Sequence, residues 1–187
     1  DGVFIFNNHP DVNSKANDKK RMQLNVDFIK SREMTAFKKA LIDHLTVLHP
    51  DHNVDSMVGL LSKIECASQL AHIDYTKEFL SDVLSNDHQI PLAYLIALTD
   101  DTVFDVWPGA IRFDDSRKFK PMKVRLQAGD VLIFRGDLVH AGAGVEKANV
   151  RFHAYMDVKG KPRPIFEDGV ELTYFMDDKA HILERQN

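Results

Sequence analysis

The chain has 187 residues, of which 44% are hydrophobic and 28% are charged, so it is long enough to bury one sizeable core. Its formal net charge of −4 argues against a protein that binds nucleic acid through a globally basic surface. No apolar run approaches the roughly 20 residues that span a bilayer, no signal peptide is visible and there is one cysteine, so we expect a soluble intracellular protein of the cytoplasm or nucleus.

The first third of the chain predicts a short strand, a polar loop and then helices. Residues 3–6 are apolar enough for a strand, and residues 7–21 are rich in Asn, Asp and Lys, which is typical of a loop. Ser31 can cap a helix whose apolar residues recur at three- and four-residue steps: Met34, Phe37, Leu41, Leu45 and Leu48. A second short helix is predicted over residues 55–62, which extends the helical front over about 25–63.

From residue 64 the pattern changes to strands separated by Gly- and Asp-containing turns. The predicted strands are residues 64–70, 91–98, 103–107, 122–126, 131–134 and 150–156. A helix capped by Thr76 interrupts them over residues 76–84, and the tail adds a strand over 166–175 and a short helix over 176–184. These elements predict one α+β domain over residues 1–187, with an antiparallel sandwich or barrel over about 64–158 and a tail over 159–187.

The tripeptide His-x-Asp, which can supply two ligands of an iron site, occurs at residues 9–11, 49–51 and 72–74. The first copy lies in the polar loop and is typical of a surface turn. The second follows a helix, and residues 37–53 resemble the second helix and HPD loop of a J-domain co-chaperone. That helix is strongly basic in J-domains, whereas Asp43, Thr46 and Val47 stand here, which favours plain helix termination at Pro50.

The third copy, His72-Ile73-Asp74, differs because it follows an alternating segment. Residues i and i+2 of an extended chain point the same way, so both side chains can reach one ion. A non-heme Fe(II) site needs two His and one carboxylate, with positions left open. His140, after the strand that ends at residue 134, is the candidate third ligand.

Arg151 lies on the following predicted strand and shares one face of it with His153 and Tyr155. An arginine that points into a barrel needs an anionic partner, because burial of an unpaired guanidinium is too costly. No Asp or Glu on the strand is dedicated to it, so a dicarboxylate ligand is the natural partner.

The order His72-x-Asp74, His140, Arg151 resembles the Fe(II)/2-oxoglutarate-dependent oxygenases. Residues 92–109 and 128–140 are similar to the phytanoyl-CoA dioxygenase-like branch, although that branch usually continues Pro-Gly with Ser-His, where this chain has Pro108-Gly109-Ala110. The resemblance implies a double-stranded β-helix (a cupin-like jelly roll) with N-terminal supporting helices, and a metal triad of His72, Asp74 and His140.

The resemblance also implies Fe(II), 2-oxoglutarate and O2, with Arg151 on the distal carboxylate of 2-oxoglutarate. It implies hydroxylation of an unidentified substrate, with decarboxylation of 2-oxoglutarate to succinate and CO2. Tyr94 and Gln69 are weaker candidates for cosubstrate contact or support, and His153 and Trp107 are candidates for the substrate pocket.

Two alternatives remain at this point, a cupin-like metal-binding barrel without 2-oxoglutarate and the J-domain-like interaction module. The expected partner is a small-molecule or peptide substrate, and nucleic acid is not excluded. The basic segment 112–125 fits either a solvated loop or a rim that meets an anionic substrate.

Overall fold

The computed structural model describes residues 7–8, 20–26, 29–69, 71–83, 90–111, 118–163, 173–176 and 179–182. In this part of the chain no helix is both long and apolar enough to cross a lipid bilayer. The predicted strand at residues 3–6 and most of the predicted loop after it lie outside the described residues. The single-domain organisation stays a prediction.

Within the described ranges, twelve strands and two helices follow one another. In order they are β1 Asn7–Asn8, β2 Arg21–Asn25, α1 Arg32–Leu48, β3 His52–Ser62, β4 His72–Ile73, α2 Lys77–Val83, β5 Leu92–Ala97, β6 Thr102–Val106, β7 Met122–Leu126, β8 Val131–Arg135, β9 His140–Gly142, β10 Asn149–Val158, β11 Thr173–Met176 and β12 Lys179–Ile182.

The strands form two six-stranded sheets whose pairs are antiparallel. One sheet has the order β1-β2-β3-β10-β5-β8, and the other has the order β12-β11-β4-β9-β6-β7. Each sheet collects strands from distant parts of the chain, as a jelly roll requires. Apolar side chains of β5 and β8 pack between the sheets against those of β6 and β7: Ala93, Leu95, Ala97, Phe104, Val106, Leu126 and Phe134.

Helix α1 covers the outer face of the first sheet. Its start is as predicted, because Met34 N donates a hydrogen bond to Ser31 Oγ over 3.0 Å. The buried Leu45 packs with Phe152 and Ala154 of β10, and Phe37 contacts Phe152 with ring centroids 5.6 Å apart. The alternate side chains of β10 therefore point away from α1, toward the second sheet.

The predicted second helix at residues 55–62 is wrong, because this segment belongs to the eleven-residue strand β3. Strand β3 pairs with β2 on one side and with β10 on the other, so long-range pairing overrides the local preference. His49-Pro50-Asp51 joins α1 to β3, with His49 N bonded to Leu45 O over 2.8 Å. The tripeptide thus ends a helix and begins a strand, unlike a loop between two helices.

Two further elements differ from the sequence prediction. Residues 64–69 do not form a regular strand; they make one isolated bridge, Cys66 with Val145, and Glu65 adopts a positive φ of 57°. In the tail, residues 179–182 form β12, which pairs with β11, where a helix was predicted. The predicted helix after Thr76 is confirmed as α2, with Phe79 N donating to Thr76 Oγ1 over 3.2 Å.

Candidate metal centre

The second sheet brings the three predicted ligands together. His72 lies in β4, Asp74 follows it by two residues, and His140 opens β9 directly opposite His72 in the strand register. One ligand atom from each of the three lies within 4.8 Å of the others, and all three side chains are buried. Strand pairing therefore builds a compact two-His, one-carboxylate cluster from segments almost 70 residues apart.

Asp74 lies in close contact with the imidazole rings around it. Asp74 Oδ1 lies 3.3 Å from His140 Nε2 and 4.0 Å from His72 Nε2, whereas Oδ2 lies 3.3 Å from His153 Nε2. His140 Nδ1 lies 2.9 Å from Leu138 O and donates to it, so Nε2 is the ring nitrogen that faces Asp74 and is available to a metal ion. Oδ1 and the two Nε2 atoms converge on one point, and Oδ2 is left to His153.

The carboxylate of Asp74 and the neighbouring imidazoles each favour the charged form of the other. Burial alone would raise the pKa of the Asp74 carboxyl, but His140 and His153 hold that pKa well below its usual value. Burial opposes protonation of His140, and the Asp74 carboxylate outweighs it, so the His140 pKa is raised. In the metal-free protein Asp74 is thus an anion, ready to bind a cation.

Aromatic rings surround His140 on the side of the sheet interior. Phe104 stacks on the imidazole with centroids 5.1 Å apart, and Phe134 meets it edge-on at 4.9 Å. Such a hydrophobic wall restricts water and fixes the ring plane.

Arg151 lies two residues before His153 on β10, and no acidic partner for it is found among the residues that the structure describes. Its Nη1 donates to Ser62 Oγ over 2.9 Å and to Asn149 Oδ1 over 3.0 Å. Among the described residues, no carboxylate lies within 4 Å of the guanidinium, although it is only 5% exposed. Burial first, and then the charge of Arg21, lowers the pKa of Arg151 to about 9.

Arg21 is a site residue that the sequence analysis missed. It opens β2 in a segment predicted as loop, and only the alternation of Met22 and Leu24 after it signals a strand. The side chain is 3% exposed; it donates to Ser62 Oγ over 3.1 Å and to three carbonyl oxygens, Ala67 O (2.6 Å), Gly142 O (3.0 Å) and Ala143 O (3.0 Å).

Hydrogen-bond donors outnumber acceptors around the two arginines. Arg21 Nε and Asn149 Nδ2 are buried and have no acceptor in the described part of the chain. A Cβ on Gly142 would overlap Gln69 Oε1 and lie 3.0 Å from Arg21 Nη1 and 3.1 Å from Arg151 Nη2, so both guanidinium groups border the same space. Buried polar groups are normally satisfied, so this donor set calls for an anionic acceptor.

The other candidates from the sequence differ in how close they lie to the triad and the arginine pair. Gln69 lies beside the arginine pair, because its Oε1 accepts from Gly142 N over 3.0 Å. His153 contacts Asp74, as described above. Trp107 packs against the cluster of Ile73 and Tyr155. The structure does not bring Tyr94 to the site: it lies on the α1 side of β5, with its hydroxyl 3.5 Å from Met57 Sδ.

The basic segment 112–125 is described only from residue 118. There Lys123 Nζ lies 3.0 Å from Asp105 Oδ1, and Arg125 Nη1 lies 3.0 Å from Asp101 Oδ1. Both basic side chains are largely exposed, which favours solvated surface pairs over a substrate rim.

No family model and no curated protein matches the chain. Among solved structures, it is similar to AviO1 from Streptomyces viridochromogenes Tue57, with TM-score 0.60, 14% identity and coverage of 78% of this chain and 70% of AviO1. HygX from Streptomyces hygroscopicus, solved with nickel and 2-oxoglutarate bound, gives TM-score 0.57 and 16% identity over 86% of this chain and 80% of HygX.

A third similar structure is SnoK from nogalamycin biosynthesis, a non-heme α-ketoglutarate-dependent carbocyclase, with TM-score 0.55 and 18% identity over 83% of this chain and 66% of SnoK. The resemblance to the phytanoyl-CoA dioxygenase-like branch stays a prediction.

The predicted fold is confirmed: the chain has the double-stranded β-helix found in 2-oxoglutarate-dependent oxygenases.

Proposed function

We propose that this protein is an Fe(II)- and 2-oxoglutarate-dependent oxygenase. The observation that carries the proposal is the adjacency of two buried groups. One is the triad of His72, Asp74 and His140, and the other is a pair of arginines, Arg21 and Arg151, that have no carboxylate partner in the described segments. Two strands connect them, since His140 is followed by Gly142 on β9 and His153 is preceded by Arg151 on β10.

The donor set of the triad suits a divalent iron ion. Two imidazoles and one carboxylate on one side of an ion are typical of non-heme Fe(II) sites and leave coordination positions open. The bond from His140 Nδ1 to Leu138 O provides the outer support that such ligands need, and His153 Nε2 lies 3.3 Å from the second oxygen of Asp74.

The distance between the triad and the arginines suits a short dicarboxylate. Two residues along a strand correspond to about 6.5–7 Å, so a five-carbon dicarboxylate can reach from the metal to Arg151. Arg151 then fixes the orientation of the cosubstrate, and the unsatisfied donors at Arg21 and Asn149 gain an acceptor.

When bound, Fe(II) and 2-oxoglutarate supply the oxidation, in which O2 and decarboxylation to succinate and CO2 are coupled to attack on a substrate. The residues of the chain bind, orient and exclude water: Phe104 and Phe134 shield His140. We propose hydroxylation as the outcome, with His153 and Trp107 in or near the substrate pocket.

The substrate is proposed to be a small molecule or a peptide. HygX has been solved with hygromycin B bound, and a similar prolyl hydroxylase from Trichoplax adhaerens with a peptide fragment of hypoxia inducible factor. These ligands belong to those proteins, and here they support only the two classes.

Anaerobic visible spectroscopy with Fe(II) tests the proposal without a known substrate. We expect a charge-transfer band that requires both Fe(II) and 2-oxoglutarate, that is lost in His140→Ala, and that needs far more 2-oxoglutarate in Arg151→Ala. Arg32→Ala, at an exposed position on α1, is the control. Metal binding without any band would contradict the proposal and favour a cupin-like metal site without 2-oxoglutarate.

A further inference from the structure

Two buried arginines from distant parts of the chain meet beside β9. Arg21 comes from β2 and Arg151 from β10, and both donate to the same hydroxyl, Ser62 Oγ, over 3.1 Å and 2.9 Å. Because both nitrogens lie about 3 Å from one oxygen, they are within about 6 Å of each other, a distance at which like charges repel strongly in a buried site. In the described part of the chain, no carboxylate offsets either charge.

The pair also shares an open side. Both Arg21 Nη1 and Arg151 Nη2 lie close to the position that a Cβ of Gly142 would occupy, at 3.0 Å and 3.1 Å. Both side-chain hydrogen bonds of Arg151 to described residues use Nη1, so Nη2 has no acceptor among those residues. The absence of a side chain at Gly142 leaves space between the two guanidinium groups.

We infer that Arg21 is a second positioning residue of the subsite for the distal carboxylate of the cosubstrate. It adds a positive charge beside that carboxylate and holds Ser62, to which Arg151 is bonded. This inference rests on the proposed function. It deepens that function, because it assigns Arg21 a role in charge recognition that the orienting contact of Arg151 does not require.

The bonds of Arg21 also connect this subsite to the metal ligands. Arg21 Nη2 donates to the carbonyls of Gly142 and Ala143, at the end of the strand that begins with His140. It donates to Ala67 O as well, two residues before Gln69, whose amide bonds Gly142. Arg21 therefore fixes the position of the strand end that borders the carboxylate.

A purely structural role for Arg21 predicts a different result from a role in charge recognition. If Arg21 only supports the strand, its removal would weaken the binding of all 2-oxo acids alike. A carboxylate subsite would lose affinity only for ligands with a distal carboxylate, since a charge-assisted bond contributes through that group alone.

The test compares 2-oxoglutarate with 2-oxopentanoate, which has the same five-carbon chain but no distal carboxylate. Each is titrated anaerobically into the Fe(II)-loaded protein, with the visible band as the readout, for wild type, Arg21→Gln and the exposed control Arg32→Gln. We expect Arg21→Gln to raise the Kd for 2-oxoglutarate by about tenfold or more and to change the Kd for 2-oxopentanoate by less than about twofold. Arg32→Gln should change neither Kd.

Equal weakening of both ligands in Arg21→Gln would overturn the inference and leave Arg21 as a strand support. If Arg21→Gln does not fold, Arg21→Met, which also removes the charge, gives the same comparison: a selective loss of affinity for 2-oxoglutarate supports the inference, and equal losses for both ligands overturn it. A wild-type protein that shows no band with either ligand contradicts the proposed function itself, which separates the two failures.

Discussion

Replacement of Arg151 by Met is expected to make the metal-free protein more stable while it abolishes cosubstrate binding. Met has a similar length and no charge, so it removes a buried cation that has no acidic partner among the described residues. Apolar replacement of a buried charge is often neutral or stabilising, whereas functional sites commonly retain such destabilising groups.

The magnitude follows from the pKa of Arg151. The value falls from 12.5 to about 9, and at 1.36 kcal/mol per pKa unit this corresponds to roughly 5 kcal/mol against the charged form. At pH 7 the group is protonated in both folded and unfolded protein, so the whole cost is present. Loss of the bonds to Ser62 and Asn149 costs about 1–1.5 kcal/mol each, which leaves a net gain of roughly 2 kcal/mol.

Urea denaturation of the metal-free protein measures this gain, followed by the same measurement with Fe(II) and 2-oxoglutarate under anaerobic conditions. Wild type should gain about 2.7 kcal/mol from ligand at a hundred times its Kd, whereas Arg151→Met gains nothing from 2-oxoglutarate. The matched variant Arg21→Met should destabilise instead, because the carbonyls of Ala67, Gly142 and Ala143 lose the hydrogen bonds that Arg21 Nη2 donates to them. A loss of more than about 1 kcal/mol in metal-free Arg151→Met would refute the reasoning.

Four further predictions concern the surroundings of the triad. Gly142→Ala should impair 2-oxoglutarate binding but leave metal affinity intact, because its Cβ would overlap Gln69 Oε1 and border both arginines; equal loss of metal in calorimetry would contradict this. His153→Leu should weaken Fe(II) binding by about 10–100-fold, since Asp74 Oδ2 loses the imidazole 3.3 Å away, and an unchanged metal Kd would exclude a supporting role. Apparent affinity for Fe(II) should rise with pH from about 6 to about 8. The His140 pKa is raised above its ordinary value, so at a pH below that pKa a proton on His140 competes with the metal ion and must be released on binding. Calorimetry in buffers of different ionisation enthalpy measures this proton release. Tyr94→Phe should leave the 2-oxoglutarate titration unchanged, because its hydroxyl faces Met57 Sδ; a clear weakening would return Tyr94 to the site.

The sequence by itself determined the strand that carries Arg151 and His153, and it predicted which three side chains form the candidate triad. Period-two alternation places Arg151 and His153 on one face, which the packing of Phe152 and Ala154 against α1 bears out. The same local logic placed α1 and its Ser31 cap, because helix periodicity and capping depend on neighbours in sequence.

Local patterns failed where pairing partners are distant in sequence. Residues 55–62 form part of β3 because β2 and β10 flank them, and Tyr94 faces α1 because the register of β5 against β10 sets its direction. Arg21 joined the site for the same reason: its strand pairs with β3, more than 30 residues away, and brings its guanidinium to Ser62 and to the end of β9. Residue types and spacing predicted the three candidate metal ligands that the structure brings together, but only the tertiary structure showed that two arginines share one buried space, because charge proximity depends on which strands become neighbours.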